Sequence, residues 1–286
     1  MLYGAIEAGG TKFVCAVADE GLDVLERVSI PTTIPEETME KVINFFNQYD
    51  ISVISVGSFG PINVNKESEK YGYITNTPKE GWSDFDFKGA LESEFNIPVL
   101  WTTDVNTAAY GEYKLGAAQH TRSCLYLTVG TGIGGGLVKN GDIINGYTHP
   151  EMGHILVRKH VDDDFNGTCP YHGDCLEGLA SGFAIEKRCG EKGKNLASNH
   201  PVWEFVSDYL AQALFSYTLV ISPEKIILGG GVMKQEHLIG LVREKFEAMM
   251  NGYMEYPEVE HYIVTPELGD DAGIKGCLVL SRDEMN

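Results

Sequence analysis

A chain of 286 residues is long for one core and fits two modest lobes better. Hydrophobic residues at 43% and charged residues at 22% are ordinary for a globular protein, while a net charge of −19 with no basic run disfavours nucleic-acid partners. The longest uncharged stretch, Ser123 to Val138, is interrupted by Gly130, Gly132 and Gly134–Gly136, so no membrane partner or span is expected.

The start, MLYGAIEAGGTKF, lacks the basic, apolar and small-residue regions of a signal peptide, which points to the cytoplasm. Tyr3–Ile6, Phe13–Val17 and Val24–Val28 read as three strands, joined by glycine turns at Gly9-Gly10 and Gly21. Glu36–Gln48 follows as a helix with Met39, Val42, Ile43 and Phe46 at helical spacing, and Ile51–Val56 as an apolar strand. Ile97–Trp101 is a further strand, leading through Asp104 into a helix that carries Ala108, Ala109, Tyr113 and Leu115; Gly111 weakens that helix. About 120 residues after the first strand the pattern returns: Leu125–Val129, a turn at Gly130-Thr131-Gly132, Gly135–Val138, an Asn-Gly hairpin at Asn140-Gly141, and Ile143-Ile144. Two unrelated hairpins would look similar, but each is followed by the helix–strand alternation of an α/β fold. Val202–Tyr217 is a broad apolar helix, Lys225–Leu228 a strand, Glu236–Met250 a helix, His261–Val264 a strand and Asp271–Leu280 a final helix. The expected division is a lobe over 1–115, a lobe over 116–270, and a last helix at about 271–284 packing back on the first.

Three glycine-rich turns follow three of these strands: Gly9-Gly10-Thr11-Lys12, Gly130-Thr131-Gly132, and Gly229-Gly230-Gly231. Glycine lets backbone N–H groups come close to a phosphate, and threonine adds a hydroxyl donor. None of them is a P-loop, and Lys12 serves equally as a solvated hairpin residue. The first two suit the β- and γ-phosphates of a nucleotide and the third its nucleoside.

His154, Cys169, His172 and Cys175 stand as H-x14-C-x2-H-x2-C, a thiolate and imidazole set suited to tetrahedral zinc. Four protein ligands make a closed, structural site. A core histidine with a redox cysteine pair is the competing account. Glu151 and Glu177 flank these ligands and would be held rigidly by the metal as acceptors for sugar hydroxyls; as isolated residues they would read as surface acids. Asp104 lies just past the carboxyl end of a strand, where α/β folds bind ligands, and could take a hydroxyl proton or cap the next helix. Asn106 beside it could hold a hydroxyl or cap.

Taken together, these residues resemble the ROK family of sugar kinases and repressors, and within it the bacterial fructokinase branch. The resemblance spans nearly the whole chain. It rests on E-A-G-G-T-K at Glu7–Lys12, G-S-F-G-P at Gly57–Pro61, N-T-P-K-E-G-W at Asn76–Trp82 and D-V-N-T-A-A at Asp104–Ala109. The signature from Leu127 to His154 and the knuckle running into Leu176-Glu177-Gly178 complete it.

The resemblance implies an actin-like, hexokinase-type (ribonuclease H-like) fold of two duplicated α/β lobes with a cleft between them. It implies ATP with Mg2+ and a hexose as substrates, structural Zn2+, and a homodimer. Asp104 becomes the general base, and Gly60, Pro61, Asn106, Glu151, His154 and Glu177 become sugar contacts, with His154 bridging zinc and sugar. The leading substrate is D-fructose, converted to fructose 6-phosphate. Glucose or mannose kinases of the same family are the first alternative, and a non-catalytic sugar-responsive regulator the second. A repressor would need a helix-turn-helix ahead of a first strand that here starts near Tyr3. Two features depart from many relatives: Glu7 replaces an aspartate, which would shift a magnesium-bound water, and the knuckle has a histidine where three cysteines are common.

Overall fold

Strands β1 (Leu2–Ala8), β2 (Lys12–Ala18) and β4 (Ile51–Ser58) are near-continuous apolar runs, the pattern of strands covered on both faces. In the computed structural model, which describes residues Met1–Met285, they form the centre of a five-stranded sheet. β3 (Val24–Pro31) is its exposed edge beyond β2, and β5 (Val99–Thr103) closes the other side. β2 is antiparallel to β1 and β3, whereas β1, β4 and β5 are parallel.

The period of two along a strand divides the core. Phe13, Cys15 and Val17 join a cluster with Phe46, Trp82, Phe87 and Trp101 on one face. Val14, Ala16 and Ala18 join Ile274, Cys277 and Leu278 on the other. Helix α1 (Pro35–Phe46), with Pro35 in its first turn, and helix α2 (Phe87–Phe95), capped by the Asp86 side chain, feed the first cluster.

The other face is covered by helix α3 (Asp104–Leu115) and the C-terminal helix (Ala272–Met285), which cross at unusually close range. A Cβ on Gly111 would lie 2.4 Å from the Ala272 carbonyl oxygen, and one on Gly276 1.8 Å from that of Thr107. Gly111 weakens α3 as a sequence signal because its role is tertiary. These elements form one compact unit, Met1–Gly116 with Asp142–Pro150 and the chain from Asp270.

The second unit, Ala117–Gly141 with Glu151–Gly269, repeats the plan. Strands β6 (Ser123–Val129), β7 (Ile133–Lys139), β8 (Lys225–Gly229) and β9 (Ile263–Val264) pair in the order β7–β6–β8–β9. Pairing is antiparallel, then parallel, then parallel, which is β2–β1–β4–β5 over again. Two short helices, α4 (Leu176–Ala180) and α5 (Gly182–Cys189), precede the long helices α6 (Val202–Ile221) and α7 (Glu236–Met250), which pack together. α7 buries Leu238, Val242, Phe246 and Met250, one per turn.

Three sequence expectations shift. The strand expected at His261–Val264 is a helical turn, Val259–Tyr262, before β9, because the Tyr262 N–H bonds back to the Glu258 carbonyl. The strand expected at Ile97–Trp101 starts at Val99 and runs to Thr103, since Pro98 precedes its pairing with β4. The strand at Ile143-Ile144 is two residues long, Asp142–Ile143. Among the described residues no helix is long and apolar enough to cross a membrane.

Candidate active site and metal centre

In the first sheet, Ala8, Ser58 and Thr103 stand in one row across the parallel strands β1, β4 and β5. The segments that follow them therefore leave the same carboxyl edge side by side, and these are Gly9–Lys12, Phe59–Pro61 and Asp104. Capping of α3 falls to Thr103, whose hydroxyl accepts from Asn106 N–H at 3.2 Å, so the Asp104 carboxylate is not the cap. Asn106 is fully buried; its Nδ2 donates to Thr102 Oγ1 at 3.0 Å, and its Oδ1 is a buried acceptor without a partner. Such an orphan acceptor is uncommon in a native interior and suits a ligand hydroxyl.

Glu7 lies beside Asp104. Burial, reinforced by the Asp104 charge, raises its carboxyl to about 7, against the lowering pull of Arg27 and Lys12. The longer side chain fits because the C-terminal helix presents Gly273 to it: a Cβ there would meet the Glu7 carboxyl carbon at 2.6 Å.

The first turn closes with Gly9 N–H donating to Lys12 O at 3.0 Å, leaving Thr11 and Lys12 exposed. Two further residues shape this edge and were missed as site residues in the sequence. Lys79 crosses Gly10 so closely that a Cβ on Gly10 would lie 3.1 Å from Lys79 Cε. Its loop is anchored by buried Trp82, which donates to Thr33 O at 2.6 Å and packs on Phe13. His149 is buried and accepts the Ile62 N–H on Nε2 at 3.1 Å, fixing the loop just past the cis Gly60-Pro61 bond. Lys79 lies within the N-T-P-K-E-G-W stretch and His149 within the Leu127–His154 signature, so both motifs carried the signal without the role.

In the second sheet Thr128 pairs with Gly229 across parallel β6 and β8, which sets the turn at Gly130-Thr131-Gly132 beside the turn at Gly229-Gly230-Gly231. Gly130 N–H donates to Gly132 O at 2.9 Å. Gly230 holds φ +90° against the backbone of Val129, and only Gly231 of its trio faces open space.

The knuckle converges as its spacing predicts. One donor atom each from His154, Cys169, His172 and Cys175 lies within 4.8 Å of the others. Cys169 Sγ is 3.6 Å from His154 Nδ1 and from His172 Nδ1, and Cys175 Sγ is 3.6 Å from His154 Nδ1. Tetrahedral zinc, with Zn–S of ~2.3 Å and Zn–N of ~2.0 Å, has sulfur–nitrogen edges of about 3.5 Å, close to the separations here, so the donor set fits the ion. All six cysteines are free thiols. Burial pushes the Cys175 thiol up to about 11, so a bound cation is what makes its thiolate affordable.

With Nδ1 turned into the cluster, His154 presents Nε2 to two carboxylates, Glu151 Oε2 at 4.0 Å and Glu177 Oε1 at 3.9 Å. Glu177 Oε2 accepts the Ile133 N–H at 2.8 Å. A metal on Nδ1 places the ring proton on Nε2, so the three side chains offer one donor and two acceptors on a rigid mount.

The sequence pattern of the ROK family matches residues 3–284. The chain belongs to the ROK family. It is 52% identical to a fructokinase of Pediococcus pentosaceus over 99% of this chain and 98% of that protein. A fructokinase of Streptococcus mutans is 48% identical over 98% and 97% of the two chains. Among solved structures, a ROK hexokinase from Thermus thermophilus superposes with a TM-score of 0.84 at 27% identity, covering 100% of this chain and 99% of that one. The duplicated sheets are thus the actin-like, hexokinase-type fold of the ROK family, and His154, Cys169, His172 and Cys175 are its zinc-binding site.

Proposed function

We propose that this ROK protein is an ATP-dependent hexose kinase whose substrate is D-fructose and whose product is fructose 6-phosphate. The observation that carries the reading is the near-full-length identity, 52%, to a fructokinase. The site chemistry agrees with it, because phosphoryl transfer rests on positioning and on charge stabilisation.

In this reading the sugar's primary hydroxyl oxygen attacks the γ-phosphorus, its proton passes to the Asp104 carboxylate, and the bond to the bridging oxygen breaks to release ADP. The turns Gly9-Gly10-Thr11-Lys12 and Gly130-Thr131-Gly132 bind the phosphates, while Gly229, Gly230 and Gly231 accommodate the nucleoside. Magnesium bound with ATP supplies neutralisation of the phosphate charge. Gly60, Pro61, Asn106, Glu151, His154 and Glu177 hold the sugar, His154 donating from Nε2 and the glutamates accepting hydroxyl protons. Glucose and mannose compete as substrates, since the same base serves any hexose. The family resemblance adds a homodimer as the working state, and the N-terminal sequence a cytoplasmic location.

NMR of the product formed from fructose and ATP-Mg tests the chemistry. Phosphate on the C6 oxygen supports the proposal, phosphate on C1 contradicts the assigned hydroxyl, and absence of any sugar phosphate removes the kinase reading.

A further inference from the structure

The zinc knuckle and the second phosphate turn are far apart in sequence, yet one short stretch of chain touches both. Cys175 is a metal donor and opens α4. Two residues on, Glu177 accepts the Ile133 N–H on Oε2 at 2.8 Å, directly after the Gly130-Thr131-Gly132 turn. The carbonyl of Glu177 accepts the N–H of Ser181, whose hydroxyl caps α5 by accepting from Ala184 N–H. The first N–H groups of α5 then reach the turn itself: Gly182 donates to Gly130 O at 2.7 Å and Phe183 to Thr131 O at 3.4 Å.

The opposite side of the turn is gripped by the residue before the histidine ligand. A Cβ on Gly153 would lie 1.9 Å from Ile133 O, and one on Gly132 would lie 2.5 Å from Glu177 Oε2. Side chains are excluded at these positions because the metal-site segments lie directly on the turn backbone.

A glycine turn left to itself samples many conformations, so its N–H groups converge on a phosphate only when something external holds it. Beside the α5 N–H groups, two of the holders here are Glu177 and Gly153, each within two residues of a metal donor, Cys175 or His154. Those donors are themselves ordered when a cation draws them together, since binding free energy at such a site is folding free energy.

We propose that zinc occupancy sets the affinity of this chain for the nucleotide as well as for the sugar, and that Glu177 is the positioning residue that transmits it to the turn at Gly130–Ile133. The nucleotide part of this inference rests on the proposed kinase reading. The mechanical tie between knuckle and turn does not.

Two readouts test it. Hydrogen exchange of the Thr131–Ile133 amides is followed on the zinc-loaded chain, on the chain after a zinc-selective chelator with Mg2+ retained, and on loaded Glu177→Ala and Glu177→Gln. Binding of a non-hydrolysable ATP analogue with Mg2+ is titrated on the same four samples, without sugar. Chelation and Glu177→Ala are expected to speed exchange at Ile133 and to weaken nucleotide binding by about ten-fold, the scale of one lost charge-assisted hydrogen bond. Glu177→Gln keeps a carbonyl acceptor for the Ile133 N–H and should stay within about two-fold of the parent. Unchanged protection in both the chelated chain and loaded Glu177→Ala overturns the tie. Faster exchange with unchanged nucleotide affinity overturns the coupling to affinity. If chelation unfolds the chain, loaded Glu177→Ala decides alone. If the loaded parent binds no nucleotide, the kinase reading fails, and exchange at Ile133 still decides the tie.

Discussion

Glu7 and Asp104 stand together at the carboxyl edge of the first sheet, and Glu7 is pushed up to about 7, chiefly by burial and then by Asp104. The unfolded chain ionises this carboxyl near its ordinary value of 4.5 while the folded chain keeps its proton to about 7. Folded-state stability therefore falls as pH rises between those values and levels off above them, by on the order of 3 kcal/mol. In the ligand-free protein, Glu7→Gln should remove that decline, read as the difference in denaturation midpoint between pH 5 and pH 7.5. A parallel decline in the variant would assign the slope to another group. For Asp104, substitution by Asn should lower kcat by about 10²- to 10⁴-fold while leaving sugar and ATP binding near the parent values; near-normal turnover would take Asp104 out of the proton transfer. At this scale the zinc ligands were legible because soft donors at short fixed spacing have few other uses. The raised Glu7 was not, because it depends on Gly273, which approaches from the far end of the chain.

Helix α3 carries Asp104 on its first turn and Thr107 and Gly111 on the face that meets the C-terminal helix. The position of Asp104 is thus set by that crossing. Gly276→Ala places a Cβ 1.8 Å from the Thr107 carbonyl oxygen, where the nearest atoms are all backbone of α3 and no flexible side chain can yield. We expect a loss of about 2–3 kcal/mol, read by denaturant unfolding at constant m; a change below about 0.5 kcal/mol would mean the helices separate without cost. Apolar periodicity revealed β1, β4, β6, α6 and α7, whose burial is dictated by their own residues. It did not reveal α4, which has five residues and no full period to display, or α2, where Gly89 and a left-handed Asn96 cap enclose a short run. His149 escaped for a different reason: a buried histidine that accepts one backbone N–H has no local sequence mark.

At the scale of the molecule, the antiparallel hairpin followed by two parallel strands occurs in both units, and in each the glycine-rich turns leave the carboxyl edge of the parallel strands. The duplication was visible as a repeated glycine-threonine hairpin, because a tight hairpin next to a parallel crossover needs the same residues wherever it occurs. The substrate was not visible in that way. Sugar choice depends on which hydroxyls the polar side chains of a site read, and the same residue types serve several hexoses. The most direct measurement is the initial rate of ADP release with ATP-Mg against fructose, glucose, mannose, N-acetylglucosamine and N-acetylmannosamine. Fructose should give the highest kcat/KM by at least about ten-fold, with little ADP released when no sugar is present. A higher kcat/KM for another sugar would contradict fructose as the substrate, and ADP release that no sugar stimulates would contradict the kinase itself.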